Sequence, residues 1–277
     1  MKTLPSLRPH TVSGGELIAR QLAAEGVDTV FGIIDGTYFG LYSSFGRHGI
    51  RLITPRHESS AVHMAAAFAR QTGRLGVCLA SNGPGVANAL PGVAVEQAEG
   101  NRVLLITSSR RHAIVEPDRG GSFQCFPQVQ AIGAMCKLSV HVPTADRIGE
   151  LTRQVLRACF TGRPGVAHLD VPEDLMNGQT PEQPARSPQS YRSTEAMAAP
   201  PVQIGQLAEM LRSAQRPLIH AGSGVLHAGA FEPLLRLARN LGCPITTSWA
   251  ARAVVDERDP HSLPMVYLDA IKRARNE

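Results

Sequence analysis

In Thr-Pro-Arg-His-Glu-Ser-Ser, residues 54–60, a carboxylate stands where a short apolar run ends and an alanine-rich stretch begins. Glu58 there has two readings. As a helix-start anion it answers the macrodipole, worth about 0.3–1 kcal/mol. At the carboxyl end of a parallel strand it stands where open α/β sheets bind ligands, and a held carboxylate can do acid–base work. Asn82-Gly83-Pro84-Gly85 is the second feature. Such a turn either brings backbone amides close to a ligand or serves as a tight strand-to-helix turn. Gly222-Ser223-Gly224 with Gly229 resembles a dinucleotide loop, but its third position falls on His227. His57 and His63 are six apart, off the i, i+4 spacing of helical metal ligands, so no metal site is expected. No GxxxxGK[ST] or GxSxG element occurs.

These residues need a scaffold that brings strand ends together, and the pattern supplies one. Strands are expected at Val27–Ile34, Ile50–Ile53, Gly76–Ala80, Val103–Thr107, Leu138–Val142 and Val166–Val171. Helices are expected at 14–25, 38–45, 58–71, from the 82–85 turn to about 98, near 127–135, and at 146–160. Ser13-x-x-Glu16 carries the capping-box signature for the first of these. Continuous apolar strands alternating with helices predict an α/β fold, a parallel sheet with helices on both faces. Residues 177–201 are proline- and serine-rich and read as a linker. Beyond them, helix 202–213, strand Pro217–Ala221, helix 230–241, strand Pro244–Ser248 and a helical run at Asp269–Glu277 predict a second domain. With two clear strands it is expected to be incomplete.

Composition narrows the possible functions. The 277 residues are 43% apolar and 18% charged, an ordinary globular balance. The net charge of +5 is scattered and aromatic residues are few, against a nucleic-acid partner. Cys78, Cys125, Cys136, Cys159 and Cys243 show no CxxC spacing and read as core thiols in a reducing compartment. No apolar stretch reaches membrane-spanning length, so a soluble cytoplasmic location is expected.

Several stretches together resemble the thiamine-diphosphate-dependent enzymes of the acetolactate synthase and 2-oxo-acid decarboxylase type. They are Val30-Phe31-Gly32, Arg56-His57-Glu58, residues 76–88, Phe123-Gln124, residues 161–165 and Asp170-Val171-Pro172, in the family's order and spacing. The resemblance implies a pyrimidine-binding domain over 1–176, the linker 177–201, and part of a Rossmann-like central domain over 202–277. In that family the matching glutamate bonds N1′ of the cofactor's aminopyrimidine and so activates the thiazolium carbon that attacks a 2-oxo acid. Glu58 takes this catalytic role by resemblance. Asp35, Gly36, Gly83, Pro84, Gly85 and Asn88 are the further cofactor-binding candidates, Phe123 and Gln124 the substrate candidates, and Arg163 matches a residue that touches FAD in some members.

Departures from the family's pattern qualify the expectation. Ile34-Asp35 replaces a proline–glycine pair, Ser59 a glutamine, and Glu173 the lysine of a VPKD element. The magnesium and diphosphate motif, GDG followed by asparagine, is absent from these residues. The expectation is therefore the N-terminal portion of a carboligase, decarboxylase or related lyase or transferase. It would be inactive without a chain supplying the diphosphate and Mg2+ domain, and would work as a homodimer or complemented oligomer. FAD is possible but unsupported. The alternative is a non-catalytic remnant or interaction module that keeps the fold.

Overall fold

The structure, a computed structural model, describes residues 10–115, 119, 122–195 and 198–263. The expected helical run at 269–277, and most of the loop 116–121, lie outside the described residues. The chain divides into two compact units, one to Thr194 and one from Glu195.

The first unit is built on six parallel strands: β2 (Thr29–Gly32), β3 (Arg51–Ile53), β4 (Gly76–Ala80), β5 (Val103–Ser109), β6 (Leu138–His141) and β7 (Val166–Pro172). β1 (Thr11–Ser13) stands apart from them. The sheet order is β3-β2-β4-β5-β7-β6, all parallel. From β2 the chain steps outward to β3, then crosses back to β4, which makes the β2–β4 gap the point where the winding reverses. Ligands of open parallel sheets bind at the strand ends there.

Strand side chains alternate between faces, and both faces are covered. Val77, Leu79, Leu104 and Ile106 join Leu17, Ile18, Leu22, Leu41, Val155 and Leu156, from α1 (Gly14–Ala24), α2 (Phe39–Phe45) and the helix Ile148–Phe160. Cys78, Ala80, Val103 and Leu105 join Ala61, Val62, Ala65, Val86, Ala89 and Val93, from α3 (Glu58–Thr72) and α4 (Pro84–Glu99). Small residues set the closeness of this second face. A Cβ on Gly76 would lie 2.0 Å from the Ala65 carbonyl oxygen, and one on Gly92 would lie 2.9 Å from Val62 Cβ.

The stretch read as a linker is in part tied to the first unit. β8 (Gln179–Pro181) pairs antiparallel with β1. Gln21 exchanges side-chain hydrogen bonds with the Arg186 backbone, and Tyr191 and Arg192 both donate to the Glu25 carboxylate. The capping box at Ser13 is only half formed. Ser13 Oγ accepts from the Glu16 amide at 3.1 Å, but the Glu16 carboxylate turns to Arg20, Arg47 and His48.

In the second unit, β9 (Ile219–Ala221) pairs in parallel with β10 (Ile245–Thr247) over a small core of Leu234, Ala238, Cys243, Val254 and Val255. Gly222–Gly229, the stretch weighed as a dinucleotide loop, is a short helix (Ser223–Ala228) closed by Gly229 at φ +60°.

Candidate functional site

The turn after β2 sits over the winding reversal. Asp35 Oδ1 accepts from the Thr37 amide at 2.9 Å and from the Thr37 hydroxyl, which stands 2.5 Å from Ser108 Oγ. Tyr38, fully buried, donates its hydroxyl to the Ala80 and Ile106 carbonyls and accepts from the Ser108 amide. This phenol ties the ends of β4 and β5 together beneath the turn, which burial and these hydrogen bonds stabilise. Gly36 lies on the exposed crest, its carbonyl accepting from Asn177 Nδ2 at 3.1 Å.

Glu58 opens α3 just beyond the end of β3. His57 is the N-cap, with extended backbone, and its Nδ1 accepts from the Ser59 amide at 3.2 Å. Glu58 is 8% exposed. Its Oε2 accepts from Asn88 Nδ2 at 3.1 Å, while Oε1 accepts no protein hydrogen bond among the described residues. Gly85 stands directly against it, because a Cβ there would lie 3.1 Å from Oε1 and 2.8 Å from Ser81 Oγ. Ser59 fastens the two helices a second time by donating its hydroxyl to the Asn88 carbonyl. A helix-start charge alone would need none of this. A carboxylate with one oxygen anchored and the other uncommitted can hold or pass a proton at a ligand atom.

Gly83 provides the N-cap of α4 at φ +70° and ψ −118°, a conformation that excludes other residues, and Pro84 opens the helix. A Cβ at Gly83 would meet the Phe123 carbonyl oxygen at 2.5 Å and Gln124 Cα at 2.8 Å, so the turn and the 123–124 segment lie in direct contact. Gln124 Nε2 donates to Asn82 Oδ1 at 3.1 Å. Phe123 is 72% exposed.

Gln124 also lines a pocket of about 370 Å³ with Ser109, Arg110, Cys125 and Phe126. An adjoining pocket of about 280 Å³ reaches His112, His141 and Asp170. Asp170 is buried and accepts from Thr107, Ser109, Gln128 and His141. Burial alone would raise its pKa, but His141 and the other donors hold it below the usual carboxylate value. Glu173, where the family pattern carries lysine, is matched by a compensating cation: Arg110 Nη1 lies 3.2 Å from its Oε2.

The structure thus gathers Asp35, Gly36, Glu58, Gly83, Pro84, Gly85, Asn88, Phe123 and Gln124 along the carboxyl edge of the sheet. Arg163 lies at the opposite edge, donating to the Ala98 carbonyl at the end of α4. Asn82, Tyr38, Ser108 and Arg110 are not among the site residues expected from the sequence, Asn82 entering only as the first residue of the glycine turn. Only Asn82 carried a signal, being a large polar residue inside a glycine turn. Among the described residues no three His, Cys, Asp or Glu side chains form a metal-holding group, and no helix is long and apolar enough to cross a membrane.

Comparison with known proteins finds relatives along most of the chain. Residues 12–131 match the model of the thiamine pyrophosphate enzyme N-terminal TPP binding domain, and residues 204–276 that of the central domain. The chain is 31% identical over 270 residues to a "Probable acetolactate synthase large subunit" of Methanocaldococcus jannaschii, covering 95% of this chain and 44% of that protein. It is 31% identical over 261 residues to a 2-hydroxyacyl-CoA lyase of Oryza sativa subsp. japonica, covering 91% and 44%. A human 2-hydroxyacyl-CoA lyase 1 is 29% identical over 256 residues, covering 90% and 43%. The chain spans less than half the length of these relatives.

Proposed function

The chain belongs to the thiamine pyrophosphate enzyme family, with its N-terminal and central domains, and from that premise we propose that it serves a thiamine-diphosphate-dependent reaction of a 2-oxo acid. The observation that carries the reading is Glu58, buried, anchored at Oε2 and uncommitted at Oε1 beside Gly85. The residues present fit a flat nitrogen heterocycle. Glu58 Oε1 is uncommitted, and Gly85 puts no side chain between it and the start of α4, where a Cβ would lie 3.1 Å from that oxygen.

When bound, thiamine diphosphate supplies the carbon nucleophile and electron sink that this chemistry requires. Glu58 holds and moves a proton at Oε1, and Asn88 fixes the carboxylate so that this oxygen keeps its aim. Gly85 leaves Oε1 uncovered at the start of α4, and Gly83 lets the Phe123–Gln124 backbone rest on the turn. The Asp35 turn closes the winding reversal from the β2 side. Gln124 faces the pocket that takes the 2-oxo acid, where Arg110 draws a carboxylate inward although Glu173 partly neutralises it.

We assign the diphosphate and its Mg2+ to residues outside this sequence, since no GDG element occurs within it. The remaining assignments of this reading are a cytoplasmic location, a homodimer or complementing chain, a domain boundary between 177 and 201, and carboligation or decarboxylation as the outcome. FAD lies outside this reading, and Arg163, its one candidate residue, donates to the Ala98 carbonyl.

The test combines the chain with a polypeptide supplying the diphosphate-anchoring half, thiamine diphosphate and Mg2+, and follows carbon dioxide release from pyruvate. Glu58→Gln is expected to slow turnover by about 10²-fold or more. Normal turnover by that variant would overturn the assignment.

A further inference from the structure

Resting on the proposed reading, we infer that Asn82 is a positioning and specificity residue of this site: it fixes the Gln124 side chain through its own oxygen and reserves a buried amide donor for an acceptor oxygen of the 2-oxo acid.

Asn82 is 2% exposed and follows the last residues of β4, at the base of the α4 turn. Its Oδ1 is occupied by Gln124 Nε2 at 3.1 Å. Its Nδ2 is buried and has no hydrogen-bond partner. A purely structural amide in a dry turn is expected to have both ends satisfied, and an orphaned buried donor marks a place held ready for something else. The surroundings are those of a site. Gly83 lies next in sequence, the Phe123–Gln124 backbone rests on it, and Gly85 with Glu58 is one helical turn further on.

The chemistry of the donor selects the ligand class. A 2-oxo acid presents a carbonyl and a carboxylate, all acceptors, and a primary amide offers two N–H groups without a charge. The hydrogen bond from Gln124 to Oδ1 fixes which end of the Asn82 amide is left to donate. It also uses one N–H of Gln124 and leaves that residue's other polar atoms for the pocket it lines with Ser109 and Arg110. Asn82 Nδ2 lies beneath the Gly83 turn, on which the Phe123–Gln124 backbone rests. The largely exposed Phe123 side chain leaves that segment without a core anchor of its own. Asn82 therefore acts twice, orienting Gln124 before the ligand arrives and donating to it afterwards.

The experiment titrates the 15N-labelled chain, combined with the polypeptide that supplies the diphosphate-anchoring half, with pyruvate in the presence of thiamine diphosphate and Mg2+, by 1H–15N NMR of side-chain amides. The Asn82 NH2 pair is identified by its absence from Asn82→Asp and from Asn82→Ser. Asn82→Asp keeps the shape and removes the donor, and Asn82→Ser is a smaller, uncharged replacement should the acid disturb folding. Pyruvate is expected to shift the Asn82 pair, and both variants to weaken pyruvate binding at least tenfold. Thiamine diphosphate affinity should stay within threefold, and in the complemented assembly KM for pyruvate should rise more than kcat falls. Unchanged pyruvate binding in both variants, or an Asn82 resonance that does not move, overturns the inference. If Glu58→Gln still abolishes thiamine diphosphate binding, the functional reading survives that failure. If the complemented wild-type assembly binds neither molecule, both fall.

Discussion

Asn88 reaches from the second turn of α4 to the first residue of α3 and donates its amide to Glu58 Oε2 at 3.1 Å. Because Asn88 is exposed while Glu58 is buried, the bond matters more to the carboxylate's direction than to the fold. Asn88→Ala should slow the complemented reaction about tenfold, in line with a hydrogen bond to a charged group. Its loss of stability should stay near or below about 1 kcal/mol. Thermal melting beside initial rates checks this, and equal losses in both would count against it.

Gly85→Ala and Gly76→Ala should separate function from folding. The added methyl at Gly85 meets side-chain ends, Ser81 Oγ at 2.8 Å and Glu58 Oε1 at 3.1 Å, which can give way. It should cost about 1–3 kcal/mol and abolish cofactor-dependent turnover by displacing the carboxylate. At Gly76 the methyl meets the Ala65 backbone oxygen at 2.0 Å, so α3 must move off the sheet. A loss of about 3 kcal/mol or more is expected there. Urea denaturation of the two variants orders them.

Glu16 sets one part of the acid stability. Burial opposes its ionisation, but hydrogen bonds from Arg47, Arg20, Ser44 and His48 outweigh this and hold its pKa at about 2, against 4.5 for the free group. A lowered carboxylate pKa means stability present above pH 4.5 and lost as pH falls toward 2. The contribution is on the order of 3 kcal/mol. Glu16→Gln should be less stable at neutral pH and flatter below pH 4.5, as read from denaturation midpoints.

His168 acts at higher pH. Burial lowers its pKa from 6.5 to about 4, with Asp170 pulling the other way. Its Nε2 lies 2.7 Å from Thr107 Oγ1, and that hydroxyl donates to Asp170. The unfolded chain takes the proton first, so stability is full above pH 6.5 and is lost as pH falls toward 4. His168→Gln should flatten the stability profile between those values while leaving the Glu16 limb below pH 4.5 intact.

Much of the first unit is legible in the sequence because its strands are buried on both faces. Val77-Cys78-Leu79-Ala80 and Val103-Leu104-Leu105-Ile106 are continuous apolar runs for that reason. Glu58 and the Gly83–Gly85 turn are legible as a helix start and a strand-to-helix turn, because local types and spacing decide those. What escapes depends on partners distant in sequence. The capping-box spacing at Ser13 and Glu16 says nothing of Arg47 and His48, which draw the carboxylate away. The antiparallel pairing of β1 with β8 joins segments about 170 residues apart, too short for any periodicity to show. Glu173 reads as a reversed charge until Arg110 is found beside it.

That pairing has a topological consequence. Thr11 lies opposite Pro181, and the Glu182 amide donates to the His10 carbonyl at 3.0 Å. The first unit therefore brings residues 10–13 beside residues 179–182. A short peptide could join residue 182 back to residue 10, and new ends could be cut at an exposed bend such as Gly73, which stands at φ +70° with open space where a Cβ would lie. The order of the strands along the gene would change, while the six-stranded sheet and the Glu58 seam would not.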